Sequence, residues 1–198
     1  MTVTGITGGI GSGKSVVSRL LEINGIPVYN TDIAAKRIYD TSRTVQEKLS
    51  GRFGPELYQP YGILNRTLLA SLIFSHPENL IFVNSVVHPA VKVDFLEWRT
   101  EQQEKELIGV ESALLFESGL KQLVDISINV SAPLEMCIQR VQERDHWDRE
   151  AILNRIRNQM PDEERNALAD YIFINDGRKA LIPQVENWIK IVKLNEFI

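Results

Sequence analysis

Residues 8–15 read Gly-Gly-Ile-Gly-Ser-Gly-Lys-Ser, with glycine at 8, 9, 11 and 13. No helix or strand interior tolerates so much bare backbone. Thr2 to Thr7, rich in β-branched residues, reads as a strand ahead of it. From Lys14 to about Asn24, Val16, Val17, Leu20, Leu21 and Ile23 recur at near-helical spacing. Strand, glycine loop and helix in that order narrow the fold sharply. Glycines adopt positive φ and let several N–H groups approach one anion without a Cβ in the way. The N-terminus of the following helix adds a partial positive charge. The octet fits Gly-x-x-x-x-Gly-Lys-[Ser/Thr], a cradle for a nucleoside triphosphate. Lys14 is then placed for the β- and γ-phosphates, and the Ser15 hydroxyl for Mg²⁺. Gly8, Gly9, Ile10, Gly11, Ser12, Gly13, Lys14 and Ser15 are the expected nucleotide-binding residues. The plainer alternative, a glycine-rich turn with a surface lysine, lacks a reason for the strand before and the helix after.

Asn24-Gly25 ends the first helix, and residues 26–30 (IPVYN) read as a second short strand. Strand, helix and strand in about 30 residues form a βαβ unit with a right-handed crossover. From Ile33 to Arg99 the periodicity is helical, with breaks expected at glycines and prolines, among them Pro77 and Pro89. Strand patterns return at 107–112, 125–130 and 170–175. Helical stretches are expected at 134–143, 149–168 and 178–193, with Pro133 opening the first. The fold class is therefore α/β: an open, parallel, five-stranded sheet covered by helices on both faces. The expected organisation has three parts. A nucleotide-binding core takes 1–32, 105–136 and 159–198. A helical insertion takes 33–104, and a helical lid 137–158.

A chain of 198 residues with 43% hydrophobic content suits one globular domain with an inserted subdomain. The net charge of -4 gives no general attraction for nucleic acid or an anionic membrane. A single cysteine, Cys137, excludes an internal disulfide and fits a reducing compartment. No apolar run approaches the roughly 18 residues of a membrane span. A strand starting near residue 2 leaves no room for a signal peptide. The expectation is a cytoplasmic protein, monomeric or a weak homo-oligomer, with no nucleic-acid or membrane partner.

GTPases of this loop class carry Asn-Lys-x-Asp and Asp-x-x-Gly strings, and neither occurs here. A short chain with a helical insertion and an arginine-rich late segment suits a small-molecule kinase, which needs an acceptor pocket, an orienting carboxylate and a closing lid. Asp32 follows the second strand, at the carboxyl edge where α/β proteins bind ligands, and is the candidate base. Equally, Thr31 or Asp32 caps a helix starting near Ile33. Glu111, near the end of the third strand, is the candidate Mg²⁺ ligand, with Glu117 the competing carboxylate. Arg140 and Arg144 are four apart and share a helix face, and arginine forks suit a transferring phosphoryl group. The interleaved Glu143, Asp145, Asp148 and Glu150 also fit a merely solvated helix.

Taken in order, these segments resemble the dephospho-coenzyme A kinase family. The opening GITGGIGSGKS is similar to that family's phosphate loop. VYNTDIAAKRI resembles its Asp-Ala-Asp segment, with Asp32 at the second Asp; Asn30 and Thr31 depart from the first two positions. VVHPAV, containing His88, matches a His-Pro motif, and ESALLFESGL matches a strand end in which Ala113 replaces proline. RVQERD with NRIRNQM resembles its lid, where Cys137 replaces a glutamine; a buried apolar role is expected for that thiol. ADYIFINDG resembles its last strand and turn. The resemblance implies ATP-dependent phosphorylation of the ribose 3′-hydroxyl of dephospho-coenzyme A, the final step of coenzyme A synthesis. It implies Asp32 as base and Arg140 and Arg144 over the transferring group. It also implies Asn175 and Gly177 at adenine, and His88 and the insertion at the acceptor, with Glu117 nearby. The rivals are another kinase of this loop class, acting on a nucleoside monophosphate or small alcohol, and a non-catalytic ATP-binding regulator.

Overall fold

A computed structural model describes residues 1–194. The described residues form two compact units, residues 1–29 with the chain from 102 onward, and residues 30–101.

The first unit is built on strands β1 (Thr2–Thr7), β2 (Val28–Asn30), β3 (Leu107–Glu111), β4 (Ile126–Ser131) and β5 (Tyr171–Ile174). They lie in the order β2-β3-β1-β4-β5. β1 pairs in parallel with β3 and β4, setting Ile6 beside Glu111 and Thr7 beside Asn129. β1 is central, so its carboxyl end delivers the glycine loop to the middle of the sheet edge. β1 and β3 are buried along almost their whole length, as strands covered on both faces must be.

Helices α1 (Lys14–Ile23) and α9 (Leu181–Lys193) cover one face. Val17, Leu21, Val185, Trp188 and Val192 pack there on Ile6, Ile128, Val130 and Phe173. Each fully buried aliphatic or aromatic side chain in that layer contributes roughly 1.5–3 kcal/mol. β4 turns Asn129 to the opposite face, where it meets α8 (Asp162–Leu168). α6 (Leu134–Asp145) and α7 (Arg149–Arg157) pack on each other through Ile138, Val141 and Ile152. The helix expected over 149–168 is thus two helices. Residues 158–161 part them, because Pro161 lacks the N–H a helix interior needs.

The second unit is helical: α2 (Thr31–Thr41), α3 (Arg43–Phe53), α4 (Arg66–Ser75) and α5 (Pro77–Glu101). α5 serves as the spine against which α2, α3 and α4 pack. Pro77 opens α5, and Pro89 does not break it, contrary to the sequence expectation. Val83, Val87, Val91 and Phe95 form an i, i+4 stripe running past Pro89, each at most 5% exposed. That continuous burial outweighs the roughly 3 kcal/mol penalty of an interior proline, while Pro89 itself faces solvent.

Candidate active site

The loop from β1 to α1 curls back on itself. Gly9 O accepts from Ser12 N at 3.1 Å, and Gly13 O accepts from Val16 N at 3.0 Å. Gly11 and Gly13 have φ of 77° and 102°, a region that penalises any residue with a Cβ. Space forbids a Cβ as well. On Gly11 it would strike the Cys137 carbonyl of α6, and on Gly13 the Asn175 carboxamide. Lys14 Nζ lies over the loop, donating to Gly8 O at 2.8 Å and Gly9 O at 3.1 Å. Ser15 is exposed in the first turn of α1. Ser12 is 2% exposed, and its Oγ has no hydrogen-bond partner.

Long-range contacts bring further residues to this loop. Asn175, just beyond β5, donates from Nδ2 to Ser12 O at 2.7 Å. Its Oδ1 and its main-chain O accept from Arg140 at 3.2 and 3.3 Å. Arg140 also donates to Gly11 O at 3.4 Å. Gly177, two residues beyond Asn175, packs toward Met136 of α6. Arg144 is placed differently. Its guanidinium makes two bonds to its neighbour Asp145, at 2.9 and 2.7 Å, on an exposed surface. That ion pair raises its pKa further. The shared helix face therefore holds two arginines with different neighbours. Cys137 is buried, as expected; its Sγ approaches Ala132 O at 3.8 Å, and burial pushes the thiol pKa up.

Two contacts have no counterpart in the sequence reading. Gln159, in the connector between α7 and α8, accepts from Ile10 N at 3.0 Å. Arg165 of α8, only 4% exposed, sets its Nη2 3.0 Å from where a Cβ on Gly9 would lie. Arg165 bonds to Met160 O and to Asp162 Oδ1, the latter at 3.2 Å. Asp162 in turn accepts from Asn129 and Ser131 of β4. The only hint in sequence was the i, i+3 acid–base spacing of Asp162 and Arg165, which is common on exposed helices.

Glu111 ends β3 and is 8% exposed, beside Ile6 of β1. Glu117 is turned to the connector, where it accepts from Met160 N at 3.2 Å. Among the described residues no cluster of three or more His, Cys, Asp or Glu side chains forms a metal cage. The donor set still fits Mg²⁺, which usually takes one or two protein oxygens and fills its octahedron with phosphate and water. The exposed Ser15 hydroxyl at the helix start is an oxygen donor of that kind.

Asp32 and His88 belong to the second unit. The helix cap there is neither Thr31 nor Asp32. Asn30 Oδ1 accepts from Asp32 N and Ile33 N, both at 3.0 Å, so α2 begins at Thr31. The short Asn side chain reaches both amides from its extended backbone. Asp32 is thereby exposed in the first turn with its carboxylate not used as the cap. His88 is half-buried on α5; burial, with Lys92 adding to it, holds its pKa below the ordinary value of 6.5.

A sequence model of the dephospho-CoA kinase family matches residues 2–180. The chain is 45% identical over 181 residues to the dephospho-CoA kinase of Bacteroides fragilis, covering 91% of this chain and 88% of that protein. It is 44% identical over 194 residues to the dephospho-CoA kinase of Porphyromonas gingivalis, covering 98% and 95%. Among solved structures, TT1252 from Thermus thermophilus superposes with a TM-score of 0.81 at 37% identity, covering 98% and 97%. With a glycine cradle at the centre of a parallel sheet and matches spanning nearly its whole length, this chain belongs to the dephospho-CoA kinase family.

Proposed function

We propose that this chain transfers the γ-phosphoryl group of ATP to the ribose 3′-hydroxyl of dephospho-coenzyme A, giving coenzyme A and ADP. The observation that carries the activity is the family match over residues 2–180, with the phosphate loop inside it. Loop 8–15 holds the ATP phosphates by its amides and the N-terminus of α1. Lys14 neutralises charge that develops on the β- and γ-oxygens. Ser15 and Glu111 would hold Mg²⁺, whose charge would offset that of the triphosphate. Asp32 orients the 3′-hydroxyl and takes its proton as the oxygen attacks phosphorus and the bond to ADP breaks. Its exposed carboxylate, left uncommitted by the Asn30 cap, supports that role.

Arg140 and Arg144 close over the phosphoryl group. The hydrogen bonds from Arg140 to Gly11 and Asn175 support its position at the cradle. The exposed Arg144 reaches the phosphates by leaving Asp145. Asn175 and Gly177 line the adenine pocket. His88, Glu117 and residues 33–104 bind the acceptor, and residues 137–158 act as the lid. The chain works in the cytoplasm as a monomer or weak homo-oligomer without nucleic acid. No helix among the described residues is long and apolar enough to cross a membrane.

The test is an acceptor panel with Mg-ATP: dephospho-coenzyme A, nucleoside monophosphates and small alcohols. The expected products are coenzyme A and ADP. Turnover of a nucleoside monophosphate but not of dephospho-coenzyme A refutes the proposal in favour of another kinase. ATP binding without any turnover favours a regulator.

A further inference from the structure

The Gly9–Ile10 peptide unit is held at both ends. Its carbonyl accepts from Ser12 N and from Lys14 Nζ, each at 3.1 Å. Its N–H donates to Gln159 Oε1 at 3.0 Å, across 149 residues of sequence. The Ile10 side chain packs on the α6–α7 cluster of Ile138, Val141 and Ile152. Beside it lies the Arg165 guanidinium, whose Nη2 would stand 3.0 Å from a Cβ added at position 9, a tight approach. Arg165 is itself fixed by Met160 O and Asp162, and Asp162 by Asn129 and Ser131 of β4. Its Nε has no hydrogen-bond partner, an unfavourable buried N–H that the packing maintains.

A peptide with two acceptor bonds on one side and one donor bond on the other has a single stable orientation. Without the donor bond, only the two bonds at the Gly9 oxygen oppose rotation of the Gly9–Ile10 plane, and its N–H side is free to tilt. Rotation would withdraw the Gly9 oxygen from Lys14 and Ser12.

We propose that Gln159 is a positioning residue for phosphoryl transfer: it fixes the Gly9–Ile10 peptide, and through it Lys14, and so ties the connector after α7 to the phosphate loop. The proposal rests on the reading of loop 8–15 as the ATP cradle. Gln159 touches no reacting group in this scheme and acts only through the loop.

The test is Gln159→Met, which keeps length and bulk but removes the acceptor. The expected result is a fall of about 3- to 10-fold in kcat/KM for ATP, the worth of one hydrogen bond. The KM for dephospho-coenzyme A stays unchanged, Tm stays within about 2 °C, and the Ile10 amide resonance shifts. In a Lys14→Ala background, Gln159→Met is expected to have no further effect on the affinity for a non-hydrolysable ATP analogue. Wild-type kinetics for Gln159→Met overturn the proposal. So does a parallel rise in both KM values with a large loss of Tm, the mark of a general structural role. An undiminished effect in the Lys14→Ala background overturns it as well. Intact ATP use by Lys14→Ala would remove the cradle reading and this proposal with it. Damage by Lys14→Ala with a silent Gln159→Met removes the proposal alone.

Discussion

Replacing Gly11 with alanine is expected to damage both stability and ATP use. At Gly11 φ is 77°, and an alanine there costs about 1–2 kcal/mol for the left-handed conformation. The new Cβ would also strike the Cys137 carbonyl, with the Cys137 Cα and carbonyl carbon at 3.0 Å. These are backbone atoms in the first turn of α6, and they cannot swing aside as a side-chain tip can. Overpacking of that kind costs about 1–3 kcal/mol. The sum of about 2–5 kcal/mol corresponds to a Tm lowered by about 5–15 °C for a chain of this size. If the loop shifts instead of α6, the strain is relieved at the expense of the amide cradle, and the KM for ATP rises. Thermal unfolding followed by tryptophan fluorescence, together with ATP kinetics, reads both outcomes. Gly51→Ala is the control: this glycine lies within α3, no atom lies within 4 Å of its added Cβ, and its Tm is expected to rise slightly. Gly11→Ala with wild-type Tm and wild-type KM for ATP would refute the argument that the loop is pressed against α6.

Asp32→Asn is expected to lower kcat by about 10²-fold or more while leaving ATP affinity intact, and near-normal turnover would remove Asp32 as the base. Cys137→Ser places a hydroxyl in a buried site where Ala132 O lies 3.8 Å from the present Sγ, too far for a good hydroxyl bond. It is expected to cost about 1–2 kcal/mol in denaturant unfolding yet keep activity within about threefold; loss of activity would mean that the thiol has a role beyond packing. His88 gives a pH dependence. Its folded pKa lies below 6.5, so below that pH the unfolded chain takes up a proton that the folded chain resists. Stability from this group is therefore full above pH 6.5 and is lost as pH falls toward the folded value. His88→Gln is expected to lose less Tm than wild type between pH 7.5 and 5.5, and parallel curves would rule the effect out.

Much of this was readable in the chain because it is local. The Gly8–Ser15 spacing, the β-branched run before it and the apolar repeat after it fix strand, loop and helix without reference to anything distant. The same is true of the short, β-branched runs of β3 and β4, buried almost throughout. Local signals misled where packing outvoted them. Pro89 should break a helix, yet the Val83–Val87–Val91–Phe95 stripe carries α5 straight past it. The cap of α2 was misplaced by one or two residues because Asn30, Thr31 and Asp32 are all good cap residues. Only backbone geometry selects the one whose side chain reaches two amides.

The site divides along the same line. The sequence by itself determined the strand, glycine loop and helix start that make residues 8–15 the candidate phosphate cradle, since amides converging on phosphate need glycines and a helix start in immediate succession. It also supplied the candidates Asp32, Arg140 and Arg144. Only the tertiary structure decided that Arg140 meets Gly11 and Asn175 while Arg144 pairs with Asp145, although both sit on one helix face. It alone brought Gln159 and Arg165 to Gly9 and Ile10. Those contacts join segments about 130 to 160 residues apart. The strand order β2-β3-β1-β4-β5 sets β1 beside β4, and so brings the loop after β1 close to the segments that follow β4 and β5. Hydrophobic periodicity reports which face of an element is buried, and it carries no record of which distant polar group will stand opposite.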